Sequence, residues 1–376
     1  MLSIARTNTS LIGQWWWTID RWLLFSLIAL ALLGIFLIMA ASPAVADQHN
    51  WSSFYFIKKH LLFLIPAFAM LVGVSLLSLQ DIKYVSLGVL AISMIGLFLT
   101  LFMGVEIKGA ARWLNVGGLS LQPSEFVKPS FIVVSAWLFA SQKSETPYPG
   151  NIVSLGLYLG IVALLLLQPD LGMTALVTVV WFIQFFLAGM PLLWIILGLG
   201  FCICGFFATY FLFSHVSRRI DHFLNPDVGD KFGDRYQINQ SLEAFLNGGL
   251  FGKGPGEGTI KKFLPDAHAD FIFAVAGEEF GMLFCIGLVL LFAFILLRCF
   301  MRLFEENNMF VVLAVSGLVI QFGLQAIINI ASTLNLIPTK GMTLPFISYG
   351  GSSLIAQALG MGMVLGLTRR RIGEYD

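Results

Sequence analysis

Asp266, His268 and Asp270 place two carboxylates and an imidazole within five residues, in the segment Leu264-Pro265-Asp266-Ala267-His268-Ala269-Asp270-Phe271, directly before a long apolar run. In a chain this oily, charge at the mouth of a membrane helix is costly unless it has a use. A carboxylate fixed there can take the proton of a hydroxyl and turn it into a nucleophile, a step worth roughly 10²–10⁴-fold in rate. On the residues alone, Asp270 could equally cap the helix that follows. Asp266 and His268 have no partners at a zinc-site spacing, so they read as supports around Asp270.

Other polar residues stand where chemistry could use them. Gly252-Lys253-Gly254-Pro255-Gly256-Glu257-Gly258, with Lys261 and Lys262 close behind, joins close-approaching backbone to two ammonium groups, which suits a pyrophosphate. It lacks the spacing and the Lys-Ser/Thr ending of a nucleotide P-loop. Upstream, Arg112 and Trp113 are adjacent in the segment 108–116, followed by Gln122-Pro123-Ser124-Glu125-Phe126-Val127-Lys128. Ser124 is the expected N-cap of a helix there, with Glu125 in its first turn, where the helix dipole favours an acid. Lys128 sits a turn deeper and is expected to pair with Glu125 or Asp170, or to hold an anion. Gln321, Gln325 and Asn329 recur at i, i+4, i+8 on one helix face, which predicts hydrogen bonds between helices or a polar cavity wall. Glu278 lies about 12 Å along its helix from Asp270, too far to act on the same atom. Glu278 or Glu279 is expected to face a Lys or Arg, and Asp170 to cap a helix.

The elements that must carry these residues follow from composition. The chain has 376 residues, 58% hydrophobic and only 11% charged, against about 25% charged in soluble domains. The reading is an all-α integral membrane protein, a single domain over 1–376. Net charge is +1, so no bulk field draws nucleic acid. Cys202, Cys204, Cys285 and Cys299 all fall in or beside apolar runs and read as packing residues. The first apolar run is long enough to span, with no convincing processing site for a cleaved signal.

Ten transmembrane helices are expected, near 22–41, 60–79, 84–103, 126–140, 152–167, 171–188, 192–213, 271–297, 310–331 and 344–367, each about 20 apolar residues. Arg6 and Arg21 precede the first, Arg298 and Arg302 follow the eighth, and Arg369-Arg370-Arg371 follow the tenth. That bias places both termini, 1–21 and 368–376, in the cytoplasm. The long segment 214–270 between helices 7 and 8 is then a large extracytoplasmic loop, of the length that is usually functional. Within it, 236–247 reads as an amphipathic helix with Ile238, Leu242, Phe245 and Leu246 on one face, ended by Gly248-Gly249.

Taken in order, these motifs resemble the SEDS family (shape, elongation, division and sporulation). They are Arg112-Trp113, residues 122–128, Gln168-Pro169-Asp170-Leu171-Gly172, the run 252–258, residues 264–273, Gly277-Glu278-Glu279-Phe280-Gly281, and Pro345-Phe346-Ile347-Ser348-Tyr349-Gly350-Gly351-Ser352-Ser353. The last is very specific. Trp15-Trp16-Trp17 and the run 254–258 look like the division branch in its alphaproteobacterial form, more than the elongation branch. The resemblance implies a bacterial inner-membrane glycosyltransferase that polymerises peptidoglycan from lipid II, with Asp270 as catalytic base and undecaprenyl pyrophosphate leaving. It implies substrate contacts from Arg112, Trp113, Glu125, Lys128, Lys261, Lys262, His268, Ser352 and Ser353. A divalent cation (Mg or Mn) could assist the leaving pyrophosphate, although no metal-ligand constellation is visible. The family works with a class B penicillin-binding protein, a transpeptidase, among other division proteins. One departure is local: the family usually has His-Thr-Asp where this chain has His268-Ala269-Asp270.

A flippase moving lipid II outward is the alternative from another class. Transporters tend to carry internal repeats and midplane sites; here no repeat is evident and the polar residues concentrate at the outer surface. Both points favour the enzyme.

Overall fold

The computed structural model describes residues 10–48, 50–107, 110–143, 149–212, 217, 221, 234–264, 266–338 and 341–369. Most of the segment 213–233, Lys108, Gly109, Pro265 and the tail positions Arg6, Arg370 and Arg371 lie outside the described residues. The fold is mostly helical. Helix α1 is Leu11–Thr18, α2 Arg21–Gln48, α3 Tyr55–Ser75, α4 Leu79–Met103, α5 Pro123–Ser141 and α6 Gly150–Leu167. Then come α7 Leu171–Leu187, α8 Leu192–Leu212, α9 Asp234–Gly248, α10 Ile272–Leu303, α11 Met309–Thr333 and α12 Gly351–Leu367. Among the described residues, six of these (α2, α3, α4, α6, α10 and α11) are long and apolar enough to cross a membrane, and α7 and α12 are shorter apolar helices.

Burial fixes the centre. Helix α11 is the most enclosed of the six long apolar helices, and α12 is buried along nearly its whole length. Helix α5 packs against both. Local signals set the helix starts: Ser78 and Asp81 form a capping box on α4, Asp170 accepts from Met173 N at the start of α7, and Asn308 caps α11. Both ends of the described chain lie at one end of the bundle. There Trp15 Nε1 donates to Ser75 Oγ at 2.8 Å, and Arg369 reaches the Leu76 carbonyl at 3.5 Å.

The structure departs from the sequence expectations in several places. The fold is not purely helical: β1 Val105–Ile107, β2 Ala110–Val116 and β3 Leu119–Leu121 form a small antiparallel sheet in the order β1-β2-β3. Gly117 and Gly118, both at positive φ (59° and 83°), make the two-residue turn between β2 and β3. The N-cap of α5 is Gln122, with Pro123 at its start; Ser124 lies inside the helix because proline is pre-set for the first turn.

The eighth expected span is not continuous, since α10 breaks at Gly281 (φ 81°, ψ 177°). The tenth begins late. Residues 344–350 are irregular because Ser348 Oγ takes the Leu344 N–H and Tyr349 N–H goes to the His268 carbonyl. The amphipathic helix is present as α9: Ile238 is buried and Phe245 packs on Phe273 (centroids 5.7 Å), with Ser241 and Ala244 buried beside them, but Leu246 is 84% exposed. Cys285 and Cys299 are buried free thiols, and Cys204 is an exposed one.

Candidate active site

Asp270 sits in a tight turn that precedes α10. Asp266, at φ 56°, offers its carbonyl to the N–H of Ala269 (2.9 Å) and of Asp270 (3.1 Å). Phe271, not Asp270, occupies the N-cap of α10, so the simple helix-cap reading of Asp270 does not hold. The turn is pinned to the irregular stretch before α12: Ser348 Oγ donates to the Ala269 carbonyl at 2.6 Å and Tyr349 N to the His268 carbonyl at 2.9 Å. Asn329 on α11 donates to two carbonyls at once, Asp270 at 2.9 Å and Met342 at 2.6 Å. Gly341, at φ 63°, lies so close that a Cβ there would be 3.4 Å from Asp270 Oδ2.

His268 is buried behind this turn. Its ring packs on Phe56 (centroids 4.0 Å) and Tyr349 (5.1 Å). Burial, with Tyr55 nearby, pushes the Tyr349 phenol up to about 12, so it stays protonated at neutral pH. The His268 ring thus packs the turn against α3 and the stretch before α12.

From Met342 and Thr343 a polar chain runs into the bundle. Gln325 Nε2 donates to the Thr343 carbonyl at 3.1 Å, and Thr343 Oγ1 shares a 2.6 Å hydrogen bond with Ser353 Oγ. The Gln325 carbonyl oxygen receives Lys128 Nζ at 2.8 Å and Gln357 Nε2 at 2.7 Å. Lys128 is 1% exposed and pairs with Glu125 at 2.8 Å. A buried pair is tolerated only when its remaining donors are met, and Gln325 meets one of them. Ser352 ties α12 to the sheet, accepting from Gln122 N at 3.1 Å and donating to the Ser120 carbonyl at 3.3 Å.

Arg112 joins from the other side. Its Nε lies 3.5 Å from Asp170 Oδ2, and its Nη2 donates to the Pro169 carbonyl at 2.6 Å. Burial raises the Asp170 carboxyl and Arg112 opposes the rise, while Glu125 and Lys128 are near enough to act on it too. The Arg112 side chain remains 28% exposed, so its guanidinium can meet an anion. Trp113, next to it on β2, is half-buried.

The two lysines behind the glycine-rich run differ in setting. Lys261 is buried, its ammonium bonded to Glu279 and to the Ala40 carbonyl. Lys262 is exposed, and its carbonyl accepts Gln48 Nε2 at 2.7 Å. The glycine-rich backbone is not an open anion cradle either. Glu278 accepts the N–H groups of Thr259 (2.8 Å), Ile260 (2.8 Å) and Lys261 (3.1 Å) and Asn247 Nδ2 (2.9 Å). Glu279 accepts Gly256 N at 2.9 Å. Internal carboxylates already take those donors, so the run is a clamp on α10.

The structure therefore brings together Asp270, Glu125, Lys128, Ser353 and, through Asp170, Arg112. Lys261 pairs with Glu279, His268 packs on Phe56 and Tyr349, and the Lys262 side chain stays exposed. Asn329, Gln325, Gln357 and Gly341 complete the setting. The i, i+4, i+8 spacing announced the first two; Gln357 and Gly341 gave only the signal of a lone polar residue in an apolar run and a glycine in a loop. Among the described residues no three His, Cys, Asp or Glu side chains converge to hold a metal ion.

Comparison with known proteins settles the family. A family model described as "Cell cycle protein" (FtsW, RodA, SpoVE) matches residues 21–372. The chain belongs to the FtsW/RodA/SpoVE family. Among similar members, one from Caulobacter vibrioides is 45% identical, covering 99% of this chain and 95% of its own, and is named a probable peptidoglycan glycosyltransferase FtsW. A Coxiella burnetii protein of the same name is 35% identical over 93% of this chain and 96% of its own. Among solved structures, a chain of a peptidoglycan synthase complex superposes with a TM-score of 0.77 at 28% identity, covering 93% of this chain and 97% of its own. The Thermus thermophilus rod shape determining protein RodA gives 0.68 at 27% identity over 94% and 97%. The FtsW/RodA/SpoVE fold thus extends over nearly the whole chain.

Proposed function

We propose that the protein is a peptidoglycan glycosyltransferase that polymerises lipid II into glycan strands at the outer face of the bacterial inner membrane, in septal wall synthesis. One observation carries the assignment of the site. Asp270 is held by Asn329 and abuts Gly341, at the end of a buried polar chain that contains the Glu125–Lys128 pair. The topology that fits is ten spans, with both termini cytoplasmic and the 214–270 loop outside. It is supported by the cluster of Trp15, Ser75, Leu76 and Arg369 at one end of the bundle and by the positive-inside rule.

In this reading the Asp270 carboxylate takes the proton of the 4-hydroxyl of one lipid-linked sugar. The oxygen attacks the anomeric carbon of the other, and the bond from that carbon to the pyrophosphate oxygen breaks. Undecaprenyl pyrophosphate leaves with the bonding electrons. Arg112 stabilises the departing charge from its exposed edge, and Trp113 offers a face for sugar or lipid. Lys128 and Glu125 set the local field and hold α5 against α11. Ser353 fixes Thr343 in the stretch beside the reacting carboxylate, and Ser352 holds the start of α12 to the sheet that presents Arg112 and Trp113. A divalent cation, Mg or Mn, would be held chiefly by the substrate's phosphate oxygens, with Asp270 as the one protein carboxylate at hand, and would neutralise the leaving pyrophosphate. A class B penicillin-binding protein is the partner, with other division proteins.

The test is glycan-strand synthesis from purified lipid II with a partner lacking its transpeptidase serine. Wild type should give polymer, and Asp270→Asn, at unchanged expression and partner binding, none. Polymer from Asp270→Asn would overturn the base assignment. No polymer from wild type, with lipid II translocated instead, would make the protein a flippase.

A further inference from the structure

The end of the bundle opposite Asp270 carries a second charged site. Asp20, just before α2, is buried and fully occupied: its Oδ1 accepts the N–H groups of Trp22 (3.1 Å) and Leu23 (3.2 Å). Its Oδ2 accepts Nε of Arg298 at 2.9 Å and of Arg302 at 2.8 Å. Those contacts use only the Nε edge of each guanidinium. Among the described residues, their Nη groups meet no protein acceptor, and the two side chains stay 26% and 22% exposed.

Arg21 is the third cation. Its guanidinium carbon lies 4.4 Å from the Trp17 ring centre and 5.1 Å from that of Trp16. Trp17, Asp20, Arg21, Trp22, Arg298 and Arg302 line a cavity of about 310 Å³. Three guanidinium groups against one carboxylate leave a charge of about +2 on its walls, at the positive end of the α2 dipole.

Such a cavity is at the lower end of the size range of small-ligand clefts, roughly 300–1,000 Å³, and its walls match a phosphate. Trp22 is 66% exposed and points out of the bundle, as aromatic residues at the headgroup level do. We infer that the cavity between the start of α2 and the end of α10 binds a phosphate group, supplied by the headgroup of an anionic phospholipid of the cytoplasmic leaflet. Basic pockets between membrane helices on that side suit such headgroups. The bound lipid would bridge Arg21 on α2 to Arg298 and Arg302 on α10. Only the choice of leaflet rests on the topology proposed above.

The experiment uses the delipidated full chain in detergent, with native mass spectrometry reading bound lipid. Cardiolipin, phosphatidylglycerol, phosphatidylethanolamine and inorganic phosphate are compared. Cardiolipin and phosphatidylglycerol should be retained over phosphatidylethanolamine, and Arg21→Gln and Arg302→Gln should each weaken retention roughly fivefold. Arg21→Gln leaves the Asp20 tether intact, so it remains informative if Arg302→Gln misfolds. Equal retention of the zwitterionic lipid, or retention by Arg21→Gln equal to wild type, would overturn the site. Inorganic phosphate displacing the lipid at equal concentration would make it a free-anion site and overturn the lipid assignment. None of these readouts needs polymerase activity.

Discussion

Replacing Glu278 should release the glycine-rich clamp without touching Asp270. The Glu278 carboxylate is completely buried and accepts four hydrogen bonds, three of them from the consecutive N–H groups of Thr259, Ile260 and Lys261. In Glu278→Ala all four donors lose their acceptor. A buried donor left unmet costs about 1–3 kcal/mol, so even the low end of four such losses is about 4 kcal/mol. That free energy corresponds to an opening equilibrium roughly 10³-fold larger, at tenfold per 1.4 kcal/mol. Glu278→Gln is the graded control. Its amide oxygen can keep the three donors now on Oε1, while its NH₂ faces the Lys261 N–H, so one bond is lost and the expected acceleration is about tenfold. Hydrogen exchange over 256–263, followed by mass spectrometry on the purified protein, reads this directly. Exchange should rise in the order wild type, Gln, Ala, with α11 and α12 unchanged. Exchange in Glu278→Ala within threefold of wild type would refute the idea that this carboxylate organises the loop.

Lys128→Met strands the Glu125 carboxylate in the bundle, a loss of about 3–5 kcal/mol, while Lys128→Met with Glu125→Gln should recover most of the folded yield; fluorescence-detected size exclusion of the single and double variants checks this, and equal yields would refute the pairing. Burial pushes the Asp20 carboxyl up, but hydrogen bonds from Arg302 and Arg298 outweigh it and hold it below the usual range. Stability from Asp20 is therefore present above the ordinary carboxylate pKa of about 4 and lost as pH falls through the lower native value. Melting in detergent should fall more steeply between about pH 5 and pH 3 in wild type than in Asp20→Asn, and parallel curves would remove Asp20 from the account. Trp113→Ala should reduce polymerisation about two- to tenfold, the size of one aromatic stacking contact, at unchanged melting temperature; a variant that melts early assigns Trp113 to packing.

Much of this was legible in the sequence because membrane helices announce themselves by length and oiliness. The polar residues that broke those runs were nearly all used. Lys128 was expected to find Glu125 or Asp170, and it finds Glu125; the pair Glu278 and Glu279 was expected to meet a cation, and Glu279 meets Lys261. What failed had a common cause. Lys261 and the glycine run looked like a phosphate cradle because local spacing does not reveal that carboxylates some 20 residues on will take the same donors. The late start of α12 was hidden because Ser348 and Tyr349 bond to the Asp270 turn, nearly 80 residues away. The sheet had a readable signal, the Gly117-Gly118 turn between alternating strands. The cavity at Asp20 had none, since Arg21 and Arg298 are distant in sequence and meet only in the fold.

The break at Gly281 carries one more consequence. In a continuous helix each added residue rotates everything beyond it by about 100°. Here the ladder stops: Lys253 and Gly254 N–H groups finish the first half on the carbonyls of Glu278 and Glu279, and Gly249 and Leu250 carbonyls start the second on Met282 and Leu283. A Cβ at position 281 would lie 2.4 Å from Gly252 N and the Leu250 carbonyl oxygen, so the joint admits no other residue without rearrangement. The phase of the half that carries the Asp270 turn is thus set by the clamp, together with the contacts from Ser348, Tyr349 and Asn329, and not by the half beyond the joint. The other half, 282–303, measures about 33 Å against a hydrocarbon core of about 30 Å. Its far end is tethered to Asp20 by Arg298 and Arg302, but its lipid-facing residues can change to suit a different bilayer while the half that carries the Asp270 turn keeps its orientation.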